Sequence, residues 1–400
     1  MEIRKAFYGL LARFLNKFIS VKPKHWVFGA DFGNSYREGS KYLVEYMLDK
    51  HPDYTCTFVT KNKSVLSELR LRGIPCKHIY SLSAIVTVGQ AEAVFATHFM
   101  EDVLYAYPKR ERQYFHLVHG QPYKLAFLSL PKAYDNIVFE RSNSPIKKLR
   151  QRFRNWMYYD WELTNSSFVS ATSDFLATYM DKDFAHLTPV KVLGMPRNDA
   201  LFQHERMNSE KWIDGIEGKT VFVYMPTHRA YGRGKASPTP FVNRPEVQKW
   251  MRENQVVLLM KNHPNMISQI KEEINTDVII DITRKGIDPQ VCIYHSDALI
   301  TDYSSVWMDY LLLRRPIIFY TYDSWEKNDA GVHYDIHEVS PGHFCKTEDE
   351  LFDLMKKVVM NSASMIPSEA ALKRYHKYVD GNSCDRYYDE ITKMMHYAKD

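Results

Sequence analysis

The sequence predicts an α/β protein of two domains, each built on a parallel sheet. Three observations carry that expectation. The chain has 400 residues, enough for two hydrophobic cores, and an ordinary globular composition of 45% hydrophobic and 25% charged residues. Short apolar runs alternate with amphipathic stretches in both halves, which is the pattern of strand–helix units. Polar residues fall directly after several of the apolar runs, where open α/β sheets bind their ligands.

The chain starts with MEIRKAFYGLLARFLNKFIS. Ile3, Phe7, Leu10, Leu11, Phe14, Leu15 and Phe18 trace one face of a helix, with Arg4, Lys5, Arg13 and Lys17 mostly off it. Six basic residues and one acidic residue occupy positions 1–24, so this end alone accounts for the formal net charge of +5. The pattern fits residues 1–22 lying on an anionic membrane surface. The competing reading is a helix packed on its own domain. A second basic, aromatic segment, SPIKKLRQRFRNWMYYDWE, places Ile146, Leu149, Phe153, Trp156 and Met157 at helical spacing among Lys147, Lys148, Arg150, Arg152 and Arg154. Each basic residue near such a surface contributes about 1 kcal/mol. A nucleic-acid binder spreads basic charge over a groove; here it is concentrated at one end, so nucleic acid is not an expected partner.

From Lys24 onward strands are predicted at 25–30, 54–60, 77–80, 93–97 and 114–118, with helices between them at 38–49 and 63–72. Strands in the second half are predicted at 220–225, 255–260, 278–281, 298–301 and 316–321. The stretch YGRGKASPTP at 231–240 reads as a loop. The divide between the halves is placed near 185–195, giving domains at 23–190 and 191–375 and a final helical segment at 376–400.

The polar corners follow these strands. Met225-Pro226-Thr227-His228-Arg229 follows one, Lys261-Asn262-His263-Pro264 the next, and Asp302-Tyr303-Ser304-Ser305 another. In the first half His98 and His119-Gly120-Gln121-Pro122 also come after strands. Ser304 or Ser305 taken alone reads as a helix cap. Together with Arg229, Lys261 and His263, the same hydroxyls and the N–H groups of the next helix suit a pyrophosphate. His119 is the candidate base, since a histidine near its ordinary pKa accepts a hydroxyl proton at neutral pH. Asp199, in GMPRND, is a competing acid, although Asn198 and Asp199 also suit a helix start.

Other chemistries find little support. The five cysteines are odd in number and lack CxxC spacing, which argues against a disulfide framework or zinc site and for a reducing compartment. No HExxH or Walker A sequence occurs, and the Asp181-Lys-Asp183 triplet reads as a charged helix surface. His116 and His119 sit in a predicted strand, where an offset of three points them to opposite faces. No metal and no cofactor is therefore expected. No apolar run approaches the ~18 residues that span a bilayer, and charges interrupt the N-terminal apolar residues where a secretory signal needs a continuous run.

The motifs HGQPYK (119–124), GMPRNDALF (194–202), YMPTHR (224–229), KNHP (261–264), DYSSVWMDYLLLRRPIIFY (302–320), YDI with SPG (334–342) and DGNSCDRYYDEI (380–391) occur in this order. This ordered set resembles CDP-glycerol glycerophosphotransferases, the primases and polymerases of wall teichoic acid and of related glycerol-phosphate capsules. The resemblance covers roughly residues 90–395. It implies a GT-B fold of two Rossmann-like domains facing across a cleft, with the last helix crossing back to the N-terminal domain. It implies an N-terminal domain that binds a lipid-linked, membrane-borne acceptor and a C-terminal domain that binds CDP-glycerol. It implies transfer of glycerol phosphate to an acceptor hydroxyl with release of CMP, at the cytoplasmic face of the cell membrane. Carried over by position, His119 matches the proposed base. Arg229, His263, Ser304 and Ser305 match donor-phosphate contacts, with Thr227, Asp302 and Lys261 in the same donor set. The chain departs from the family pattern at Gln121, Tyr123 and His343, and its length resembles a primase or short-chain transferase. A CDP-ribitol transferase, a GT-B glycosyltransferase using a nucleotide sugar and a catalytically inert membrane scaffold are the rival readings. Acceptor identity and oligomeric state are not specified by the sequence.

Overall fold

The computed structural model describes residues 3–103, 111–129, 144–146, 149, 166–227, 239–262, 275–323 and 331–397. They form two compact units. One comprises residues 1–121, 126–199 and 380–400, the other residues 122–125 and 200–379. The divide falls at Asp199, a few residues beyond the predicted one. Residues 380–400 belong to the first unit.

The first unit holds a seven-stranded sheet in the order β3-β2-β1-β4-β5-β6-β7. Its strands are β1 (His25–Phe28), β2 (Thr55–Thr60), β3 (Cys76–His78), β4 (Ala93–Ala96), β5 (Gln113–His116), β6 (Phe168–Ala171) and β7 (Val190–Val192). Every pairing between these strands is parallel. Parallel neighbours need crossovers, and α2 (Glu38–Lys50), α3 (Lys63–Leu71) and α4 (Leu82–Gln90) supply three of them. Asn62 caps α3 and Ser81 caps α4, each accepting a backbone N–H of the first turn. One sheet face buries Trp26, Phe28, Phe95, Phe115 and Phe168 against Leu43, Met47 and the closing helix Ser383–Tyr397. That helix contributes Cys384, Tyr387, Ile391 and Met395, a stripe at steps of three and four. β6 and β7 were not predicted from the sequence. They have four and three residues.

The helix α1 (Ile3–Leu15) packs Tyr8, Leu11, Ala12 and Leu15 against Ile79 and Ile85. The apolar face read from the sequence is thus divided: Phe7, Leu10, Phe14 and Phe18 stay exposed at 59%, 47%, 59% and 72%. Buried Arg112 anchors the end of this helix. It donates to the carbonyls of Gly89 and Ala91 and to Asn16 Oδ1. The second basic segment lies outside the described residues, apart from 144–146 and 149. The 231–240 loop does so apart from its last two residues.

The second unit holds a six-stranded sheet in the order β10-β9-β8-β11-β12-β13. Its strands are β8 (Thr220–Tyr224), β9 (Val256–Met260), β10 (Ile279–Asp281), β11 (Ala298–Thr301), β12 (Ile317–Tyr320) and β13 (His343–Cys345). All are paired in parallel. The three-residue β13 is again absent from the sequence prediction. Pro122–Leu125 belongs to this unit because Tyr334 Oη donates to Pro122 O at 2.9 Å and His333 N to Tyr123 O at 2.8 Å. No helix among the described residues is long and apolar enough to cross a membrane.

Candidate active site

In each sheet the strand order reverses at one point, and ligands of such folds bind beyond the strand ends there. In the first unit that point lies between β1 and β4. A single carboxylate, Asp102, gathers the loops that follow these two strands. It is fully buried and accepts the N–H groups of Phe32 at 2.5 Å, Thr97 at 2.8 Å and His98 at 3.0 Å. Burial pushes its pKa up to about 6 while these donors pull it down. A Cβ on Gly29 would stand 2.2 Å from the Asp102 carbonyl oxygen, so this close approach requires glycine. Asp31, Phe32 and Glu38 take φ of 52°, 54° and 61°, a strained region, and the bond from Phe32 N to Asp102 helps to hold the first two.

β5 ends at His116, two residues before the predicted end, and Val118 takes a φ of 40°. His119 therefore lies in the turn beyond the strand, where strand alternation no longer sets its direction. His116 Nε2 donates to His98 O at 2.7 Å and Nδ1 accepts from Val118 N at 3.3 Å, which fixes its tautomer. Burial, opposed by the bond to His98 and reinforced by His119, lowers its pKa to about 4, so the ring stays neutral. The His119 ring stacks on His98, with centroids 4.3 Å apart and planes 5° from parallel. Arg197 donates to the His119 carbonyl at 2.7 Å and pairs with Glu38 at 2.5 Å. His119 is an exposed residue, yet protein atoms, the His98 ring among them, pack around its imidazole. Their desolvation lowers its pKa, with Glu38 opposing and Arg197 and Arg37 adding to the shift. The result is a neutral imidazole at pH 7, able to accept a proton.

Asp199 is only 4% exposed, and its two oxygens accept Ser383 N at 2.9 Å and Cys384 N at 2.7 Å. It therefore caps the closing helix from 184 residues away and does not start the local turn, which is a 3₁₀ helix at Pro196–Phe202. Burial raises its pKa against the pull of those donors. In the Asp181-Lys-Asp183 triplet, Asp181 and Lys182 lie at the helix surface as the sequence suggests, but the third residue does not. Asp183 is 2% exposed and accepts Ala126 N at 3.0 Å.

In the second unit the order reverses between β8 and β11. Here fully buried Asp302 accepts Thr227 N at 2.7 Å and Tyr303 N at 2.6 Å, joining the two strand ends as Asp102 does in the first sheet. Ser304 and Ser305 are partly exposed at the start of the helix Val306–Tyr310. Ser305 makes no capping bond, and Ser304 Oγ stands 3.5 Å from Val306 N, at the limit of a hydrogen bond. The ordinary capping role is thus largely unfilled. Lys261 is already engaged, donating from Nζ to Ile287 O at 2.7 Å. Arg229, His263, Lys147, Lys148 and Arg150 lie outside the described residues, as do the side chains of Arg4 and Lys5. Arg13 is partly exposed and Lys17 exposed, on or just beyond α1. Among the described residues no group of three His, Cys, Asp or Glu side chains is arranged to hold a metal ion.

Sequence reasoning assigned no role to Asp102, Glu38 or Arg197. Arg197 stood within a recognised motif, whereas Asp102 and Glu38 carry no local signal, because their partners come from other loops.

Comparison with known proteins gives a consistent result. Residues 11–393 match the family described as CDP-Glycerol:Poly(glycerophosphate) glycerophosphotransferase. A teichoic acid glycerol-phosphate transferase of Staphylococcus aureus is 28% identical over 401 residues, covering 94% of this chain and 95% of its own length. A teichoic acid glycerol-phosphate primase of Bacillus subtilis is 25% identical, covering 64% of this chain and 62% of its own length. A teichoic acid poly(ribitol-phosphate) polymerase of Bacillus spizizenii is 23% identical, covering 94% of this chain and 57% of its own length. Among solved structures, the wall teichoic acid polymerase TagF matches with a TM-score of 0.72 at 22% identity, covering 98% of this chain and 93% of that one.

Proposed function

Because this chain belongs to the CDP-glycerol:poly(glycerophosphate) glycerophosphotransferase family, we propose that it moves glycerol phosphate from CDP-glycerol to a hydroxyl of a lipid-linked glycan or polyol-phosphate acceptor, releasing CMP. The product belongs to teichoic acid or capsule biosynthesis. The family match across residues 11–393 carries this reading.

In this mechanism the acceptor hydroxyl gives its proton to the His119 imidazole while its oxygen attacks the β-phosphorus of CDP-glycerol. The bond from that phosphorus to the oxygen shared with CMP breaks, and CMP leaves with the electron pair. The Ser304 and Ser305 hydroxyls and the N–H groups beyond them hold the diphosphate together with Thr227, and the sequence resemblance adds Arg229 and His263 to this donor set. Asp302 shapes that corner, and Lys261 fixes the neighbouring loop. His119→Ala is expected to lower CMP release from CDP-glycerol by about 100- to 10,000-fold. Full activity in that variant overturns the assignment. Running CDP-ribitol and UDP-sugars in parallel identifies the donor. The likeness to a ribitol-phosphate polymerase makes CDP-ribitol the second reading.

The exposed stripe of Phe7, Leu10, Phe14 and Phe18 supports peripheral docking of α1 on an anionic membrane at its cytoplasmic face. Phe14→Glu with Phe18→Glu is the informative variant, because deleting the helix also strips Leu11 and Leu15 from their packing. The variant is expected to lose pelleting with phosphatidylglycerol vesicles while keeping its melting temperature. Undiminished pelleting refutes the docking role of this face.

A further inference from the structure

Two threonine hydroxyls at the carboxyl edge of the second sheet, Thr227 Oγ1 and Thr321 Oγ1, are buried without a hydrogen-bond partner among the described residues. Each residue is 3% exposed. Leaving a buried hydroxyl unpaired is unfavourable, and a native structure that keeps one needs a reason.

Position supplies the reason. Thr227 follows β8 and Thr321 follows β12, and in the order β8-β11-β12 the Asp302–Ser305 corner lies between them. The corner is bonded on both sides. Asp302 accepts Thr227 N at 2.7 Å, and Tyr303 Oη donates to Asp323 O at 2.7 Å, two residues beyond Thr321. The sheet face also agrees. Ile318 and Tyr320 lie in one core cluster, whereas Phe319, on the opposite face, packs edge-on against Trp307 of the helix that follows Ser305. Thr321 N still pairs with Cys345 O at 2.9 Å, continuing the ladder. Alternation therefore puts the Thr321 side chain on the Trp307 face, from which the Ser304–Ser305 corner departs.

We propose that Thr321 is a further donor-binding residue, its hydroxyl hydrogen-bonding, with that of Thr227, to phosphate oxygens of a nucleotide diphosphate seated at the Ser304–Ser305 corner. The proposal rests on the donor-site reading given above and adds to it a residue from the third strand end.

A hydroxyl used only by the ligand leaves a particular signature: its removal does not harm the free protein. Thr321→Val keeps the shape and deletes the group. Calorimetric titration with CDP-glycerol, paired with thermal unfolding of the ligand-free protein, reads both sides. We expect the ligand-free melting temperature of Thr321→Val to be unchanged or raised, and its affinity for CDP-glycerol to fall about tenfold. Thr321→Ser is expected to bind within about threefold of wild type, because it restores the donor. Unchanged affinity in Thr321→Val overturns the proposal. So does a melting temperature lowered by several degrees, which marks a structural hydroxyl. If wild type binds CDP-ribitol or a UDP-sugar in place of CDP-glycerol, the donor assignment fails and the same comparison with that nucleotide decides the role of Thr321. A wild-type protein that binds none of these nucleotides overturns both.

Discussion

A histidine that accepts a proton near neutral pH must be neutral there, and the surroundings of His119 make it so. Desolvation leads, the Arg197 and Arg37 guanidiniums add to it, and Glu38 opposes them. With its pKa below the ordinary ~6.5, the proposed base is ready at pH 7 and is lost only on acidification. The rate of transfer is expected to hold from pH 8 to 7 and to decline below about pH 6.5; a pH–rate profile of CMP release checks this. Stability follows a related rule. His116 folds neutral with a pKa of about 4, so between the ordinary histidine value and that one the unfolded chain binds the proton first. Its contribution is whole above about pH 6.5 and decays as the pH falls, by about 3 kcal/mol in all. Asp102 works in the opposite sense. Its pKa, raised to about 6, means that folding takes up a proton between the ordinary carboxylate range and that value. It therefore adds stability as the pH falls through that window. His116→Gln keeps a donor for His98 O but does not titrate. The gap in its melting temperature between pH 7 and pH 5 should narrow relative to wild type.

At the scale of elements, the closing helix depends on a residue far from it in sequence. Asp199 accepts both Ser383 N and Cys384 N, and Gly194, at a φ of 85°, leaves room for Ser383 Oγ where a Cβ would stand 2.4 Å away. Losing a capping side chain costs about 0.5–2 kcal/mol. Asp199→Ala should accordingly lower the melting temperature. Asp199→Asn, which still accepts a hydrogen bond, should recover most of the loss and keep transfer activity. If Asp199→Asn is inactive but fully stable, the carboxylate has a chemical role after all. Most strands were legible because a run such as Val256–Met260 is apolar along its whole length and needs nothing distant to identify it. β7 (Val-Lys-Val) and β13 (His-Phe-Cys) were not, since each carries a charged or titratable residue within three positions and is recognised by its pairing with β6 and β12. Helix α1 was legible as a helix, but not its division into a packed and an open face. The packed Leu11 and Leu15 and the open Phe7, Leu10 and Phe14 belong to one apolar stripe in the sequence, and the difference lies in where Ile79 and Ile85 stand.

Across the whole molecule one device recurs. Each sheet reverses its order once, and at each reversal a buried aspartate binds the backbone of two strand ends, Asp102 in one unit and Asp302 in the other. The first unit is also discontinuous, because residues 380–400 complete it. Tyr387, Ile391 and Met395 fill the core of its sheet, each contributing about 1.5–3 kcal/mol of burial. That sum approaches the total stability of a domain, about 5–15 kcal/mol. A chain ending at Val379 should lose the cooperative unfolding of the first unit and expose that core. Calorimetry and binding of a hydrophobic dye on the truncated protein check this, and an unchanged first-unit transition would contradict it.

By itself the sequence determined the strand–helix alternation, the position of each polar corner after its strand and the ordered motifs that mark the family. These are short-range properties, set by backbone preference, by period and by residues close together in the chain. Tertiary structure decided the rest: the neutrality of His119, the cap supplied by Asp199, the open stripe of α1 and the unpaired hydroxyl of Thr321. Each depends on what desolvates or bonds a side chain, and those surroundings come from other parts of the chain, up to 184 residues away.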